Sequence, residues 1–212
     1  MTIRPYRATD RDAVRHICCE TADAGGPQES FFRDREFIAD LVTRYYTDFA
    51  PELTWVVEDE GMVAGYLTGA LDTDRQRRVT AWRILPEAVL RAVGRGVLFQ
   101  RETWRMLRAL IRSLFLGGDR AVAADLYPAH LHINLLPAAR GQGMGQQLVE
   151  VFFAAARQAG VTGVQVSVRA DNAGGCDFFC RLGFIEVGRR AMVLPIGGRW
   201  ITTAALTYAK KL

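Results

Sequence analysis

The glycine-rich segment at residues 140–145 constrains the fold more than any other feature, because of the patterns on either side of it. Residues 130–135 alternate apolar and polar side chains and predict a strand, and apolar residues at helical spacing around Leu148 and Phe152 predict a helix. A second strand is predicted from the alternation of Val164, Val166 and Val168. A strand, a loop, a helix and a strand form a parallel crossover unit, which predicts an α/β (α+β) fold.

The rest of the chain supplies elements that surround this unit. Further strands are predicted at residues 2–6, 54–58, 62–70, 184–187 and 200–208, and the turn 59–61 joins two of them into a hairpin. Helices are predicted from a cap at Thr9 or Asp10 to about Ala22, at about 36–46 and at about 173–182. These elements predict a mixed central sheet of about six to seven strands flanked by helices.

A helical insertion is expected at about 72–125, between the third and fourth strands of one domain that spans residues 1–212. Its first part, 72–78, is expected to be a solvated connection, and a helix with Pro86 in its first turn is expected to end at 94–96. The next helix, ended by residues 117–119, has an apolar face of Leu107, Leu110, Ile111 and Leu114 and a basic face of Arg101, Arg105, Arg108 and Arg112. Such a helix either packs its leucines beneath solvated arginines or docks onto an acidic partner or a membrane surface.

Composition and charge exclude several classes of protein. The chain has 212 residues, half of them apolar, and neither a signal peptide nor a bilayer-spanning stretch, so we expect a cytoplasmic protein without a membrane partner. The spacings of Cys18, Cys19, Cys176 and Cys180 suit neither a disulfide framework nor a zinc site, and no metal is expected. The net charge of +4 comes without a basic run interleaved with aromatics, so nucleic acid is not expected as a partner.

The glycine-rich segment has the chemistry of a phosphate site. Alternating glycines at Gly141, Gly143 and Gly145 let backbone amides converge on a diphosphate at a helix N-terminus, where Arg140 can screen the phosphate charge. An ordinary surface turn is the alternative. A dinucleotide-binding loop would come in the first strand-to-helix turn, and a kinase-type phosphate loop would have a lysine after its last glycine; neither condition is met.

Residues 135–145 resemble the acetyl-CoA loop of the GNAT acyltransferase superfamily, and the run from Asn172 to Phe184 resembles that family's next signature. Residues 127–133 and 168–172 also resemble the acetyltransferase-like domain attached to O-GlcNAc hydrolases and its bacterial relatives. The resemblance implies a GNAT fold with acetyl-CoA as co-substrate and no metal. It implies direct acetyl transfer to an amine of a small molecule, peptide or protein.

The resemblance also implies where acetyl-CoA binds. The strands that carry Leu135 and Val166 are expected to diverge, and the pantetheine arm to enter the gap between them. The implied cofactor-binding residues are Ile133, Leu135, Leu136, Arg140, Gly141, Gln142, Gly143, Met144, Gly145, Asn172, Phe178 and Phe179. For Asn172 a helix cap is the alternative role, and for the two phenylalanines a place in the core.

Transfer requires a group that accepts the proton of the amine. His132 and His130 lie on the polar face of the central strand and are the first candidates, with Asp171 and Glu58 as the others. The alternative is that the histidines only hydrogen-bond inside the fold. Phe179 stands where many family members have a tyrosine that protonates the leaving thiolate, so Tyr127 or water would take that role. The second hypothesis is therefore an acetyl-CoA-binding pseudo-acetyltransferase or protein-interaction module.

The acceptor is expected to be selected by residues 25–35, the insertion and the final hairpin, none of which has a recognisable code. Cys176 and Cys180 are expected to be packed as small apolar residues, because the family transfers the acetyl group directly. The oligomeric state is left open between a monomer and a homodimer.

Overall fold

A mixed sheet forms the centre of the molecule. The computed structural model describes residues 1–28, 31–116 and 126–212, and within them the sheet has seven strands in the order β1-β2-β3-β4-β5-β7-β6. The strands are β1 (Thr2–Pro5), β2 (Thr54–Asp59), β3 (Met62–Ala70), β4 (Ala129–Leu135), β5 (Gly163–Arg169), β6 (Ile185–Ile196) and β7 (Arg199–Lys211). β4 and β5 are parallel and the other neighbours are antiparallel. The predicted mixed α/β fold is confirmed.

Seven α-helices occur in the described ranges and flank the sheet. They are α1 (Arg11–Thr21), α2 (Arg35–Arg44), α3 (Thr73–Val79), α4 (Leu85–Gly94), α5 (Arg101–Phe115), α6 (Met144–Gln158) and α7 (Ala173–Arg181). π-helical turns extend two of them, with Tyr45–Phe49 after α2 and Thr80–Ile84 after α3. None of the helices in these ranges has the length and apolar character needed to cross a bilayer.

The two hairpins differ in how well their limits are predicted. Between β2 and β3, Glu60 and Gly61 have φ of 47° and 80°, the left-handed values of a two-residue turn, as the sequence predicts. β6 and β7 are longer than predicted. They pair from Ile185 opposite Ala209 up to a turn at Gly197 and Gly198. Polar residues and glycines conceal the extra length, because they weaken the apolar alternation that marks a strand.

The core has one layer on each face of the sheet. Leu131 of β4 and Leu67 of β3 pack with Phe152 of α6, and all three are almost fully buried. On the opposite face, Tyr66 of β3 packs with Val14 and Ile17 of α1. Neighbouring residues of a strand point to opposite faces, so Tyr66 and Leu67 enter different layers.

Asp10 occupies the predicted cap position before α1, but its side chain makes no capping hydrogen bond to that helix. A short 3-10 turn, Ala8–Asp10, precedes α1, and the Asp10 carboxylate accepts hydrogen bonds from the Arg7 backbone N–H (2.7 Å) and the Arg4 guanidinium (2.7 Å). The bond from Arg4 is the main cause that lowers the pKa of Asp10. Asp10 therefore joins β1 to the start of α1.

The first half of the insertion is more helical than predicted. Residues 73–78, expected as part of a solvated connection, belong to α3, which Asp72 caps by accepting a hydrogen bond from the Arg75 backbone N–H (2.8 Å). The capping bond satisfies a backbone donor that a helix start leaves unpaired. The predictions for Pro86 in the first turn of α4 and for the end of that helix at Gly94 are confirmed.

Of the two alternatives for α5, the one in which its leucine stripe is packed against the protein is wrong. Leu107, Leu110 and Ile111 are 42%, 58% and 45% exposed, whereas Ala109 is buried. Polar contacts hold the helix against the β6–β7 hairpin: Ser113 Oγ accepts from the Val193 backbone N–H (2.8 Å), and the Arg112 guanidinium lies 4.7 Å from the Trp200 ring centroid. The side chain of Leu114 and the helix end expected at 117–119 lie outside the described residues.

Candidate active site

A gap opens between β4 and β5. These parallel strands of seven residues each pair only at Ala129 with Val164 and His130 with Gln165. Beyond those positions the ladder stops, so the two facing strand edges do not satisfy each other's backbone groups. The predicted divergence of the strands that carry Leu135 and Val166 is confirmed.

A cleft of about 970 Å³ passes through this gap. Of the twelve residues predicted to bind cofactor, nine line it: Ile133, Leu135, Arg140, Gly141, Gly143, Gly145, Asn172, Phe178 and Phe179. Leu136, Gln142 and Met144 do not line it, although they adjoin residues that do. Of the candidate catalytic residues, His132 lines the cleft and His130 and Asp171 do not.

The glycine-rich loop presents backbone donors at the start of α6. Gly141 and Gly143 have φ of 74° and 76°, left-handed conformations that favour glycine, and Gly143 is the residue before the helix. The first backbone bond of the helix is from Gln147 N–H to Gly143 O (3.2 Å). Within the described residues, the backbone N–H groups of 141–146 have no acceptor. Such a turn at the positive end of a helix dipole can bind an anion.

Two contacts determine the shape of this loop. A Cβ atom at Gly145 would lie 3.2 Å from the Phe178 ring, so the small residue lets α6 approach α7. Arg140 donates from Nε to Leu135 O (2.9 Å) and from a terminal nitrogen to Gly25 O (3.0 Å). Arg140 thereby joins the end of β4 to the loop between α1 and α2.

His130 is held by two side chains. Thr73 Oγ1 donates its only proton to Pro128 O (2.7 Å), so it accepts from His130 Nδ1–H (2.9 Å). His130 Nε2 is then the acceptor of the Tyr46 hydroxyl (2.5 Å). Both ring nitrogens are occupied, and burial lowers the pKa of His130 to about 3. This network resembles the expected alternative, in which a histidine hydrogen-bonds inside the fold.

His132 is differently placed. Its ring lies 5.6 Å from the rings of both Tyr46 and His130, and no hydrogen-bond partner of its nitrogens occurs among the described residues. Burial lowers the pKa of His132 to about 4, so the ring is neutral at pH 7 and its free nitrogen can accept a hydrogen bond. Thr68 stands opposite His132 in the β3–β4 ladder, and its buried hydroxyl also lacks a partner in the part of the chain described.

The two carboxylate candidates are paired with arginines. Asp171 accepts from Arg169 Nε (2.9 Å), and this hydrogen bonding lowers the pKa of Asp171. Glu58 accepts from Arg4 Nε (2.7 Å) at the β1 end of the sheet and does not line the cleft. The lowered pKa makes Asp171 a weak base, and Glu58 lies away from the cleft, so neither is as well placed as His132.

For Asn172 and Phe179, the two alternatives given by the sequence hold together: a structural role and a place in the cleft lining. Asn172 caps α7 by accepting from the Gly175 backbone N–H (3.0 Å), and it also lines the cleft. Phe179 is buried with its ring centroid 5.3 Å from that of Phe184, and it too reaches the cleft. Tyr127 lies elsewhere, at the β5 start, where its carbonyl accepts from the Gln165 side chain (2.7 Å).

A second polar network was missed in the sequence. Asn134 Nδ2 donates to the Tyr66 hydroxyl (2.7 Å), which also contacts the Cys18 thiol, and Asn134 and Cys18 line the cleft. Burial raises the pKa of Cys18 to about 12, so it remains a thiol. Only the cross-strand pairing of Tyr66 with Asn134 reveals this contact, which sequence spacing does not encode.

The described residues hold no cluster of three or more histidine, cysteine or acidic side chains arranged to bind a metal ion. The four cysteines form no disulfide with one another, and Cys180 is exposed rather than packed as expected.

Comparisons with known proteins agree with this architecture. The model of the acetyltransferase (GNAT) family matches residues 25–184. The structure of SsHAT is 29% identical, with a TM-score of 0.72 over 99% of this chain and 97% of that chain. Two others show similarity of fold alone: yncA of Salmonella typhimurium with its cofactor acetyl-CoA (18% identity, TM-score 0.59, 100% and 93% covered) and Naa20 of Chaetomium thermophilum with a bisubstrate analogue (19%, 0.55, 100% and 87%). Since the family model matches well over half of the residues of this chain, the chain belongs to the GNAT acetyltransferase family.

Proposed function

We propose that the protein is an N-acetyltransferase that transfers an acetyl group directly from acetyl-CoA to an amine. The observation that carries this proposal is the cleft between β4 and β5, because it runs from unpaired backbone donors at the start of α6 to a neutral, half-buried histidine. Such a cleft can hold an anionic cofactor at one end and an uncharged amine at the other. Acetyl-CoA would supply the activated acetyl thioester.

The loop from Arg140 to Gly145 would bind the diphosphate. Its backbone N–H groups have no acceptor in the described chain, and the dipole of α6 favours negative charge there. Arg140 also lines the cleft. Its guanidinium would either give up its hydrogen bond to a backbone carbonyl and bind a phosphate oxygen, or screen the phosphate charge from a short distance. Leu136, Gln142 and Met144 would act through the loop's backbone.

The edges of the gap would hold the pantetheine arm. The Ile133 backbone and the Leu135 N–H have no ladder partner on β5, so they can pair with the amide groups of the arm, whereas Leu135 O already accepts from Arg140. Asn172 and Phe178 line the opposite wall, where an amide and an aromatic ring suit the alternating polar and apolar parts of the arm. We assign these residues to cofactor binding.

His132 would act on the amine. Its neutral ring can accept a hydrogen bond from the amine and orient the nitrogen lone pair, while a pKa of about 4 makes it a weak base that passes the proton on to solvent. His130 would be a positioning residue, because Tyr46 and Thr73 occupy its ring nitrogens. Asp171 would keep Arg169 in place rather than accept the amine's proton.

Phe179 cannot protonate the leaving sulfur, and Tyr127 does not line the cleft, so water would take that role. The alternative of a pseudo-acetyltransferase rests on Phe179 alone and is not favoured, since the family is one of acetyltransferases. We further propose a cytoplasmic enzyme in which residues 1–212 form one domain with a helical insertion. The finer resemblance to the domain attached to O-GlcNAc hydrolases, and the choice between monomer and homodimer, stay predictions.

A pair of substitutions at Gly143 tests the loop. Gly143→Asp puts a negative side chain beside the phosphates and should weaken acetyl-CoA binding, measured by calorimetry, by at least about 100-fold, because like charges in contact cost several kcal/mol. Gly143→Asn has the same shape without the charge, and asparagine tolerates a φ of 76°, so it should lose less than about tenfold. Equal affinities for the two variants would refute the loop assignment.

A further inference from the structure

Part of the cleft lining, apart from the residues assigned to the cofactor, is apolar. Phe31, Met106, Met192 and Leu194 come from the segments expected to select the acceptor, and Ile38 and Val42 of α2 join them. All six have apolar side chains, and five of them keep part of their surface accessible. An acceptor that enters this part of the cleft therefore meets hydrocarbon, sulfur and one aromatic ring.

The charges around the cleft have one sign. The charged side chains that line it are Arg140, Arg169 and Arg181, and no carboxylate from the described residues does so. The acids nearest to these arginines already have arginine partners: Asp23 (2.5 Å) and Asp171 (2.5 Å) share Arg169, and Asp40 and Glu36 share Arg15 (2.6 Å each). A second ammonium group in this cleft would lose water without gaining an anion, which is unfavourable.

Apart from its three arginines, the polar side chains that line the cleft among the described residues are neutral. Besides His132, the lining offers the Asn134 amide and the hydroxyls of Thr21 and Ser167. These groups can orient one nitrogen through hydrogen bonds, but they cannot compensate several positive charges. The site thus has polar contacts for a single amine group and an apolar surface for the rest of the acceptor molecule.

We propose that the acceptor is a small primary amine on an apolar, preferably aromatic, body, and not a polyamine or a lysine-rich peptide. The preference for an aromatic body follows from Phe31, Met106 and Met192, since methionine sulfur and aromatic rings pack favourably. This inference rests on the proposed function. In the reaction the new N–C bond replaces the thioester C–S bond, and the proton lost by the amine leaves on the thiol or in water.

The wild-type enzyme tests the proposal with three acceptors at saturating acetyl-CoA. We expect kcat/KM, measured by thiol release, to be at least about tenfold higher for 2-phenylethylamine than for spermidine or a lysine-containing peptide. Calorimetry with acetyl-CoA runs in parallel. If acetyl-CoA does not bind, the proposed function fails and the inference with it. If acetyl-CoA binds but spermidine or the peptide is the better acceptor, or phenylethylamine is not acetylated, only the inference is overturned.

Matched substitutions at Met106 sharpen the test. Met106→Glu adds the missing carboxylate, whereas Met106→Gln has nearly the same size and no charge. We expect the glutamate variant to lower the preference for phenylethylamine over spermidine by at least about tenfold and the glutamine variant to keep the order of acceptors. An unchanged preference in the glutamate variant would contradict the proposal. Should Met106→Glu fail to fold, the same pair at Met192 replaces it with the same expected outcomes.

Discussion

α5 and α6 are helices of 15 residues each, and both have apolar residues at helical spacing. Only α6 buries its apolar stripe. In α6 the apolar stripe packs on the sheet, and Leu148 and Phe152 have no exposed surface. In α5 the stripe faces outward, and Leu110 is more than half exposed. The same periodicity therefore predicts a helix in both places but does not predict which face is covered.

The difference lies in what each helix meets. A Cβ atom at Gly69 of β3 would lie 2.2 Å from Phe152 Cε2, so the absence of a side chain there makes room for the α6 stripe. α5 instead meets the β6–β7 hairpin, where Arg105 donates to Gly198 O (3.0 Å) and Ser113 accepts from Val193 N–H. Its orientation is determined by polar contacts and by the small residue Ala109, not by its leucines.

Truncation of one residue in each stripe gives the largest expected effect. Phe152→Ala should lower the free energy of unfolding by about 3–5 kcal/mol, because it leaves a cavity in a closed core. Leu110→Ala should change it by less than about 0.5 kcal/mol, because the side chain is exposed and alanine favours a helix. Urea unfolding of both variants measures the contrast. A cost at Leu110 near that at Phe152 would mean that the α5 stripe is packed after all.

Acidification probes the two histidines of β4, the strand on which α6 packs. His130 and His132 are half-buried in β4, and desolvation lowers their pKa values to about 3 and about 4, against 6.5 in the unfolded chain. Between pH 7 and pH 5 the unfolded chain takes up these protons and the folded chain does not. Stability should therefore fall as the pH falls, by about 2 kcal/mol for each histidine.

The variant His132→Gln isolates one of these contributions. Glutamine does not titrate, so the loss of stability between pH 7 and pH 5 should be about 2 kcal/mol smaller than in the wild type. The comparison uses the difference between the two pH values, so a uniform cost of the substitution cancels. An identical pH dependence in both proteins would show that His132 is not buried as a neutral ring.

The fold was largely predictable because its elements are marked locally. The alternation in β4, the glycine turn and the hairpin at Glu60 and Gly61 each depend on residues a few positions apart. The helical start at Asp72 was missed because charged residues were interpreted as solvation, although the aspartate caps α3. The full length of β6 and β7 was missed because their pairing, not their apolar pattern, defines them.

The candidate site was predictable where family motifs cover it and unpredictable elsewhere. Gly143 and Asn172 belong to such motifs, and both line the cleft. The side chains that hydrogen-bond to the ring nitrogens of His130 belong to Tyr46 and Thr73, which are 84 and 57 residues away in the chain. The six apolar residues on the proposed acceptor side of the cleft likewise come from three distant segments of the chain. Contacts over such separations depend on the folded topology, and no local pattern encodes them.

The smallest expected effect concerns the contact that orients α5. Ser113→Ala would leave the buried Val193 N–H without its acceptor, which should cost about 1–2 kcal/mol in urea unfolding and speed the hydrogen exchange of the Val193 amide. Ser113→Thr keeps the hydroxyl and should keep the slow exchange. If polar contacts orient α5, this one bond matters more to stability than Leu110 does, although leucine is the larger and more apolar side chain. A Val193 amide that exchanges equally in wild type and Ser113→Ala would mean that the helix is held in some other way.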